Sequence, residues 1–331
     1  MTGTSPRYNL QAENIFIYLH GFTPNRHPMQ PISSFKDLTS HLAEANCRKK
    51  LAVANAVDSH TLDAVLMAVE AGIVEAYLVG DVAAIESPEL FEKPSILPFI
   101  HIIDKPEVVE ATLEAVRMVK EGEADILMKG LVNTDVILRA ILDKEKGLLP
   151  PGNVLTYNAA LEIPGYHKLL FFSDPAVIPY PTLEQRKAMI KYAINTCKKF
   201  GFQHPKVALI HATEKANPKI MFMQDYLDIM QMWRMGEFGD VIMDGPLDIF
   251  LALDNERGSI KNVPSPVLGD ADVLIFPDFA AANVFYKGVA LFANAQMGGI
   301  LQGTSKPCVL TSRSESSLSK FYSIAVACIL A

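Results

Sequence analysis

The most chemically informative segment of the chain is the run LTSRSESS, residues 310–317. A short apolar stretch ends there in a turn that carries four serines, an arginine and a glutamate. The planar guanidinium of Arg313 can hold a phosphate through two parallel hydrogen bonds, and hydroxyl groups such as that of Ser312 can complete an anion site. Glu315 lies at the first turn of the following predicted helix, where it either favours the helix dipole or accepts a proton.

A second polar turn, KGLVNT, spans residues 129–134 between a predicted strand and a predicted helix. Gly130 lets the backbone approach a ligand, and Asn133 or Thr134 is suited to cap the helix. The free N–H groups of a helix start favour phosphate, and Lys129 adds a positive charge. The alternative is an ordinary helix cap with a lysine at the surface.

A third group, Asn283, Tyr286 and Lys287, lies near the start of a helix predicted over residues 283–295. Asn283 and Lys287 are four residues apart, so they share one helix face and can hold a phosphate or a carbonyl oxygen together. The alternative is that Asn283 caps the helix, that Tyr286 packs against the core and that Lys287 is solvated.

Composition excludes several classes of protein. Half of the 331 residues are hydrophobic, which is too apolar for a disordered chain, and no apolar run approaches the ~20 residues that a membrane helix needs. The 30 Lys and Arg residues against 37 Asp and Glu residues give a formal net charge of −7, so the chain lacks the basic excess of a nucleic-acid binder. Any anionic ligand must therefore be held by a local group of side chains.

The cysteines and the missing motifs narrow the chemistry further. Cys47, Cys197, Cys308 and Cys328 are far apart and show no metal-binding spacing, which predicts reduced thiols in a cytoplasmic protein and no metal site. The sequence contains none of the motifs GxGxxG, GxxxxGK[ST], GxSxG or HExxH. The polar turns are therefore the candidate site.

The pattern of apolar residues predicts an α/β protein with largely parallel sheets and flanking helices. Short apolar strands alternate with amphipathic helices, as in the strand 51–57, which precedes a helix with Leu62, Val65 and Leu66 on one face. This alternation is typical of parallel strands that are buried on both faces. Further strands are predicted at residues 76–79, 99–103, 125–128, 168–172, 207–211, 240–243, 273–276 and 308–310, and further helices at residues 107–121, 135–146, 183–200, 283–295 and 315–330.

The chain is expected to divide into an extension and two domains. Residues 1–28, which are punctuated by prolines, are expected to be a leader or flexible extension. The segment 148–152 is expected to link two α/β domains, the first made of residues 29–152 plus 314–331 and the second of residues 153–313. The active site is then expected at the carboxyl ends of the strands or in the cleft between the domains.

Six segments match one family in its order: AVANAVDSHTLDAVLMAVEAGIVEAYLVGD, EADILMKGLVNTDVILRAIL, PGYHKLLFFSD, MDGPLD, SPVLGDADVLIFPDFAAANVFYK and KPCVLTSRSESS, which together span about residues 50–330. Through them the chain resembles the phosphate acetyl/butyryltransferase family and is most similar to its phosphate butyryltransferase branch. The resemblance implies a two-domain fold like that of isocitrate and isopropylmalate dehydrogenases, with the active site in the interdomain cleft. It also implies an acyl transfer in which a short-chain acyl-CoA and phosphate give acyl phosphate and CoA.

The resemblance also implies roles for individual residues. Ser312 matches the serine that contacts the CoA sulfur or the tetrahedral intermediate, and Arg313 matches the arginine that holds phosphate and polarises the acyl carbonyl. The residues expected to bind substrate and CoA are Lys129, Gly130, Asn133, Thr134, Asp244, Asn283, Tyr286 and Lys287.

The identity of the proton acceptor follows less directly, because the chain departs from the family pattern. The acetyltransferase branch has an aspartate where this chain has Ser319, and the butyryl branch usually has one where this chain has Glu315. Glu315 is therefore the candidate base. The family often has an aspartate two residues beyond Asp248, where this chain has Phe250.

CoA is expected as a substrate, with no tightly bound cofactor, in a cytoplasmic enzyme of short-chain fatty acid metabolism. The resemblance implies a homodimer or larger homo-oligomer, and the Met-rich run 221–235 is predicted to be core or a subunit contact. The alternatives are a phosphate acetyltransferase, a non-catalytic CoA-binding paralogue and a hydride-transferring decarboxylase of the related dehydrogenase fold.

Overall fold

Eleven strands form one sheet in the part of the chain that the structure, a computed structural model, describes: residues 30–85, 93–313 and 315–331. The strands are β1 (Lys49–Ala54), β2 (Val74–Gly80), β3 (Ile100–Asp104), β4 (Ile126–Lys129), β5 (Thr156–Glu162), β6 (Leu170–Ser173), β7 (Lys206–Ile210), β8 (Ile242–Leu247), β9 (Val273–Ile275), β10 (Gln296–Gln302) and β11 (Cys308–Val309). Their order across the sheet is β3-β2-β1-β4-β11-β10-β5-β6-β9-β7-β8.

Helices cover both faces of this sheet. They are α1 (Phe35–Glu44), α2 (Ser59–Glu70), α3 (Val82–Ile85), α4 (Val108–Lys120), α5 (Thr134–Leu142), α6 (Leu183–Lys199), α7 (Met223–Arg234), α8 (Ile249–Leu253), α9 (Asn255–Ile260), α10 (Phe279–Ala293) and α11 (Ser317–Leu330). Strand residues point alternately into two apolar clusters, Leu51 and Val53 into one and Ala52 and Ala54 into the other. Burial on both faces explains why most residues of these strands are apolar, and it confirms the predicted α/β class.

The sheet is mostly parallel, with two antiparallel strands in its middle. β1 to β4 and β11 run in one direction, and β6 to β9 are parallel to one another. β10 pairs antiparallel with β11 and with β5, and β5 pairs antiparallel with β6. The strands β6 to β9 therefore run opposite to β1, β4 and β11, and the two groups end at opposite rims of the sheet.

β5 and β10 are the strands that the sequence pattern did not predict. β10 contains Gly298 and Gly299, which weaken the strand signal. A Cβ at Gly298 would lie 2.8 Å from the backbone carbonyl of Tyr322, so glycine is what allows α11 to pack closely on β10. The Ser323 hydroxyl then accepts a hydrogen bond from the Gly299 N–H at 3.0 Å. A Cβ at Gly299 would lie 2.5 Å from the Tyr157 ring of β5, so both glycines are set by close packing, which removes the apolar side chains that would have predicted a strand at β10.

Residues 31–331 form one compact unit. The predicted extension, residues 1–28, lies outside the described residues, and the division of the remainder into two domains stays a prediction. No helix in the described residues is long and apolar enough to cross a membrane.

Candidate active site

Three neighbouring parallel strands, β1, β4 and β11, end at the same rim of the sheet. The register pairs Ala54 with Lys129 and Val309 with Met128, so the chain leaves the three strands side by side. The turns that follow begin at Asn55, Gly130 and Leu310. Although residues 129 and 313 are far apart in sequence, the parallel register brings their turns together at this β1–β4–β11 rim.

The turn after β4 lies directly against the turn after β1. The N–H groups of Gly130 and Leu131 donate to the carbonyls of Ala54 and Asn55, each at 2.9 Å, and Asn55 Nδ2 donates to Leu131 O at 2.7 Å. A Cβ at Gly130 would lie 2.4 Å from Asn55 O, so only glycine fits here. Gly130 thus fixes the backbone next to Lys129.

Arg313 directly connects its own turn, residues 310–317, to the second polar turn, residues 129–134. Its Nη2 donates to Asn133 Oδ1 over 2.6 Å. Asn133 occupies the N-cap position of α5, as predicted, but its side chain makes no capping hydrogen bond. Its oxygen serves Arg313 instead, and the next residue, Thr134, is the exposed first residue of the helix. A local capping rule is broken here, which is typical of functional sites.

The carboxylate of Glu315 is held inside the same turn. Its Oε1 accepts from the Ser312 N–H at 3.2 Å, and its Oε2 lies 3.3 Å from the Ser319 hydroxyl, which donates over a shorter 2.9 Å to Met297 O. The cap of α11 is Ser316, whose hydroxyl accepts from the Ser319 N–H. Burial raises the pKa of Glu315 above the usual carboxyl value, although its hydrogen bonds and the nearby lysines oppose the rise. A carboxyl group with a raised pKa is suited to proton transfer near neutral pH.

Two lysine ammonium groups are buried at this rim. Lys129 and Lys320 are each only 3% exposed, so the alternative of a surface lysine at position 129 is wrong. Burial lowers the pKa of both side chains, and the charges of Lys320 and Arg313 lower the pKa of Lys129 further. Sequence reasoning missed Lys320. Its signal is a lysine between buried Ser319 and Ser323 in a helix that is otherwise mostly apolar.

The start of α2 adds a carboxylate to this group. Asp58 caps α2 by accepting from the Thr61 N–H at 3.0 Å, and its charge raises the pKa of both Lys129 and Lys320 against the effect of burial. The starts of α2 and α11 are also connected, because the Ser317 hydroxyl donates to Asp63 Oδ2 at 3.2 Å. Asp58 therefore balances part of the positive charge.

Tyr286 is the member of the third predicted group that interacts with Glu315. Its ring stacks on Phe172 of β6, with centroids 6.3 Å apart. Burial and the negative charge of Glu315 raise the pKa of Tyr286 to about 12. Buried Tyr157 of β5 also has a raised pKa, through burial first and then through the charges of Glu315 and Tyr286. Two phenols therefore lie within electrostatic reach of the Glu315 carboxylate.

The remaining members of the third group lie differently from expectation. α10 begins at Phe279 and not at residue 283, because Asp278 caps it by accepting from the Ala281 N–H at 2.8 Å. The alternative that Asn283 caps the helix is therefore wrong. Asn283 Nδ2 donates to Pro175 O at 3.0 Å, in the loop after β6, and Lys287 is exposed.

Asp244 lies in β8, the strand at the far edge of the sheet. Its Oδ1 accepts from the Gly245 N–H at 2.8 Å. Within the described residues, no hydrogen bond or ion pair connects Asp244, Asn283 or Lys287 to the Arg313 turn. The binding roles of these three residues stay predictions.

Comparison with known proteins places the chain among acyltransferases. Residues 100–328 match the family model described as Phosphate acetyl/butaryl transferase. The chain is 38% identical over 300 residues to a phosphate butyryltransferase of Clostridium acetobutylicum, covering 91% of this chain and 99% of the relative. It is 36% identical over 288 residues to a phosphate acetyltransferase of Thermotoga maritima, covering 86% and 95%.

A solved structure agrees with these relatives. The crystal structure of a branched-chain phosphotransacylase from Enterococcus faecalis V583 matches with a TM-score of 0.75 and 28% identity, covering 85% of this chain and 98% of that one. The segment matched by the family model includes Lys129, Arg313, Glu315 and Lys320.

Replacing Glu315 by glutamine should change stability in a pH-dependent way. Because the folded state raises the pKa of Glu315, the wild-type carboxyl group favours folding at acidic pH, and this contribution is lost as the pH rises through the folded pKa. The free energy of unfolding of Glu315→Gln should therefore rise relative to wild type between pH 4.5 and pH 8, as measured by urea denaturation. Glu256→Gln, on exposed α9, controls for the loss of one surface charge. A relative loss of stability with rising pH would show that the ionised carboxylate stabilises the fold.

Proposed function

The chain belongs to the phosphate acetyl/butyryl transferase family, and we propose that its catalytic site is the β1–β4–β11 rim. We also propose that the acyl group it preferentially transfers is butyryl or a branched short-chain group. It is a phosphate acyltransferase that acts on short-chain acyl-CoA, converting acyl-CoA and phosphate to acyl phosphate and CoA. The contact between Arg313 and Asn133, beside the Glu315 carboxylate, carries the assignment of the site.

We assign to Arg313 the stabilisation of the negative charge that develops on the acyl carbonyl oxygen. In acyl transfer the carbonyl oxygen becomes an oxyanion in the tetrahedral intermediate, and fixed donors that stabilise it lower the barrier. The guanidinium has five N–H donors, and only its Nη2 donates to Asn133. The N–H groups of its other nitrogens can donate to an oxyanion or a phosphate. Asn133 sets the orientation of this group.

We assign to Glu315 the role of accepting and returning the thiol proton of CoA. In the direction that consumes acyl phosphate, the carboxylate takes the proton, the thiolate sulfur attacks the carbonyl carbon, and the C–O bond to phosphate breaks with its electron pair leaving on phosphate. In the reverse direction Glu315 returns the proton to the departing sulfur. The raised pKa of Glu315 brings the carboxyl group closer to the pKa of a thiol, which favours this transfer. The Ser312 hydroxyl, on the exposed side of the turn, is assigned to the sulfur or to the intermediate.

The preference for butyryl or branched acyl groups rests on the relatives. The Clostridium relative is named a phosphate butyryltransferase, and the Enterococcus structure is named a branched-chain phosphotransacylase. The second candidate, acetyl transfer, is supported by the 36% identity to the Thermotoga phosphate acetyltransferase. We place the site in a cleft between the two proposed domains, residues 29–152 plus 314–331 and residues 153–313.

Helix α10 supports a homo-oligomer. Fifteen residues long and apolar along almost its whole length, it buries only Ala282 within this chain. Val284, Leu291 and Phe292 are 72–84% exposed. A helix that is apolar all round is normally buried, and a second copy of the chain offers an equally apolar helix to cover it. The Met-rich run, by contrast, turns Met223 and Met230 into the core.

An assay of thiol release should test the reaction and the role of Arg313. With phosphate present, we expect butyryl- and isobutyryl-CoA to release CoA faster than acetyl-CoA, followed with a chromogenic thiol reagent. Arg313→Ala should lower kcat/KM by about a hundredfold or more with an unchanged circular dichroism spectrum. Arg139→Ala, which removes an exposed arginine of α5, should keep the wild-type rate. A near-native rate for Arg313→Ala would exclude this site, and no release from any acyl-CoA would favour a binding paralogue.

Glu315→Gln should separate proton transfer from structure. Glutamine can still accept the Ser312 N–H bond but cannot take a proton, so kcat should fall by roughly 10²- to 10⁴-fold. Because the wild-type base must be ionised, its rate should fall as the pH drops through a pKa above the usual carboxyl value, and the residual rate of the variant should lack this step. Glu256→Gln is the control, and an unchanged kcat for Glu315→Gln would move the base elsewhere.

Leu291→Glu combined with Phe292→Glu should dissociate the oligomer. Burying two carboxylates between copies is costly, so sedimentation velocity should show a monomer at concentrations where the wild type is a dimer or larger. Ile260→Glu, at an exposed apolar position on α9, is the matched control and should leave the assembly intact. An oligomer that survives the double substitution would place the subunit interface elsewhere.

A further inference from the structure

Lys320 places an ammonium group inside the site from the first turn of α11. Its Nζ lies 3.4 Å from Thr311 Oγ1 and 3.4 Å from Ser312 O. Lys129 approaches the same strand end from β4, with its Nζ 3.5 Å from Thr311 O and 3.4 Å from Gly130 O. Two ammonium groups from different elements therefore meet at Thr311.

These contacts satisfy the two ammonium groups poorly. Each ammonium carries three N–H donors, and contacts of 3.4–3.5 Å to neutral oxygens are at the outer limit of hydrogen bonding. In the described part of the chain, neither Nζ forms an ion pair with a carboxylate, and Asp58 and Glu315 act on them from farther away. A buried charge normally has a charged or strongly hydrogen-bonded partner. The two lysines therefore leave positive charge available to a ligand.

We propose that Lys129 and Lys320 form, together with Arg313, the cradle that holds inorganic phosphate and the phosphoryl group of the acyl phosphate. This inference rests on the proposed function and deepens it by naming the residues that bind the second substrate. A tetrahedral phosphate presents oxygens to donors on several sides, which suits two point charges and one planar guanidinium. When the C–O bond of the acyl phosphate breaks, the electron pair stays on phosphate, and the buried ammonium groups stabilise that charge.

The position of the lysines favours inorganic phosphate over the phosphates of CoA. An oxygen of the substrate phosphate bonds directly to the acyl carbon, whereas the phosphates of CoA are separated from its sulfur by the pantetheine arm. Lys320 contacts the carbonyl of Ser312, and the N–H of Ser312 donates to Glu315, which we propose accepts the thiol proton of CoA. An anion held by Lys320 is therefore close to the reacting atoms.

Calorimetric titration with inorganic phosphate alone tests the cradle without any acyl-CoA. Lys320→Met keeps the length of the side chain and removes its charge, and it should weaken phosphate affinity roughly 10- to 100-fold while CoA affinity stays within about twofold. Lys129→Met should act in the same way and serves as the second variant if Lys320→Met does not fold. Lys191→Met, at an exposed position of α6, is the matched control and should bind phosphate like the wild type.

The free energy of unfolding in urea, measured with and without phosphate, distinguishes a phosphate-binding lysine from a purely structural one. Without phosphate, Lys320→Met should be at least as stable as wild type, because it no longer buries a charge that lacks an ion pair. With phosphate, the wild type should gain stability and the variant should gain less. In the acyltransferase assay, the KM for phosphate should rise for Lys320→Met while the KM for acyl-CoA stays close to wild type.

The outcomes separate this inference from the proposed function. Phosphate binding that is equal in wild type, Lys320→Met and Lys129→Met would overturn the cradle even if acyl transfer proceeds. Loss of CoA affinity with retained phosphate affinity would also overturn it and assign the lysines to a phosphate of CoA. Lysine-dependent phosphate binding without thiol release from any acyl-CoA would support the cradle and contradict the enzymatic assignment.

Discussion

Positive charge buried at the carboxyl ends of three parallel strands is the constraint on which the rest of this structure depends. Lys129 and Lys320 are removed from water, and burying an ion is costly unless other charges or donors compensate. Asp58 at the start of α2 and Glu315 before α11 supply part of that compensation. The rim therefore has more cationic than anionic groups, and an anionic substrate can neutralise the remaining positive charge.

The same burial sets the chemistry of Glu315. A carboxyl group in water is a weak base, and its removal from water raises its pKa toward that of a thiol, while the lysines and hydrogen bonds limit the rise. Glu315 and the lysines therefore depend on each other: the cations favour the ionised carboxylate, and the carboxylate reduces repulsion among the cations. Asn133 also gives up a stabilising interaction. Its side-chain oxygen accepts a hydrogen bond from Arg313, so the start of α5 lacks a side-chain capping hydrogen bond.

The departure from the family at Ser319 has a geometric explanation. Glu315 lies just before α11 and Ser319 in its first turn, and the Ser319 hydroxyl lies 3.3 Å from Glu315 Oε2. Glu315 precedes α11, which Ser316 caps, yet its carboxylate reaches Ser319, so a carboxylate at either position can reach the same place. In this chain the carboxylate is at the earlier position, and the serine at the later one lies beside it.

The sequence by itself determined the α/β class and the family, and it marked the turns at Lys129 and Arg313 as a candidate site, because apolar periodicity and local residue types are properties of short segments. It did not reveal β5 and β10, whose reversal of direction sends the strand before Asn283 to the opposite rim. It also did not reveal Lys320 as a site residue. Only the tertiary structure decided those points, because strand direction and burial depend on pairing between segments far apart in the chain.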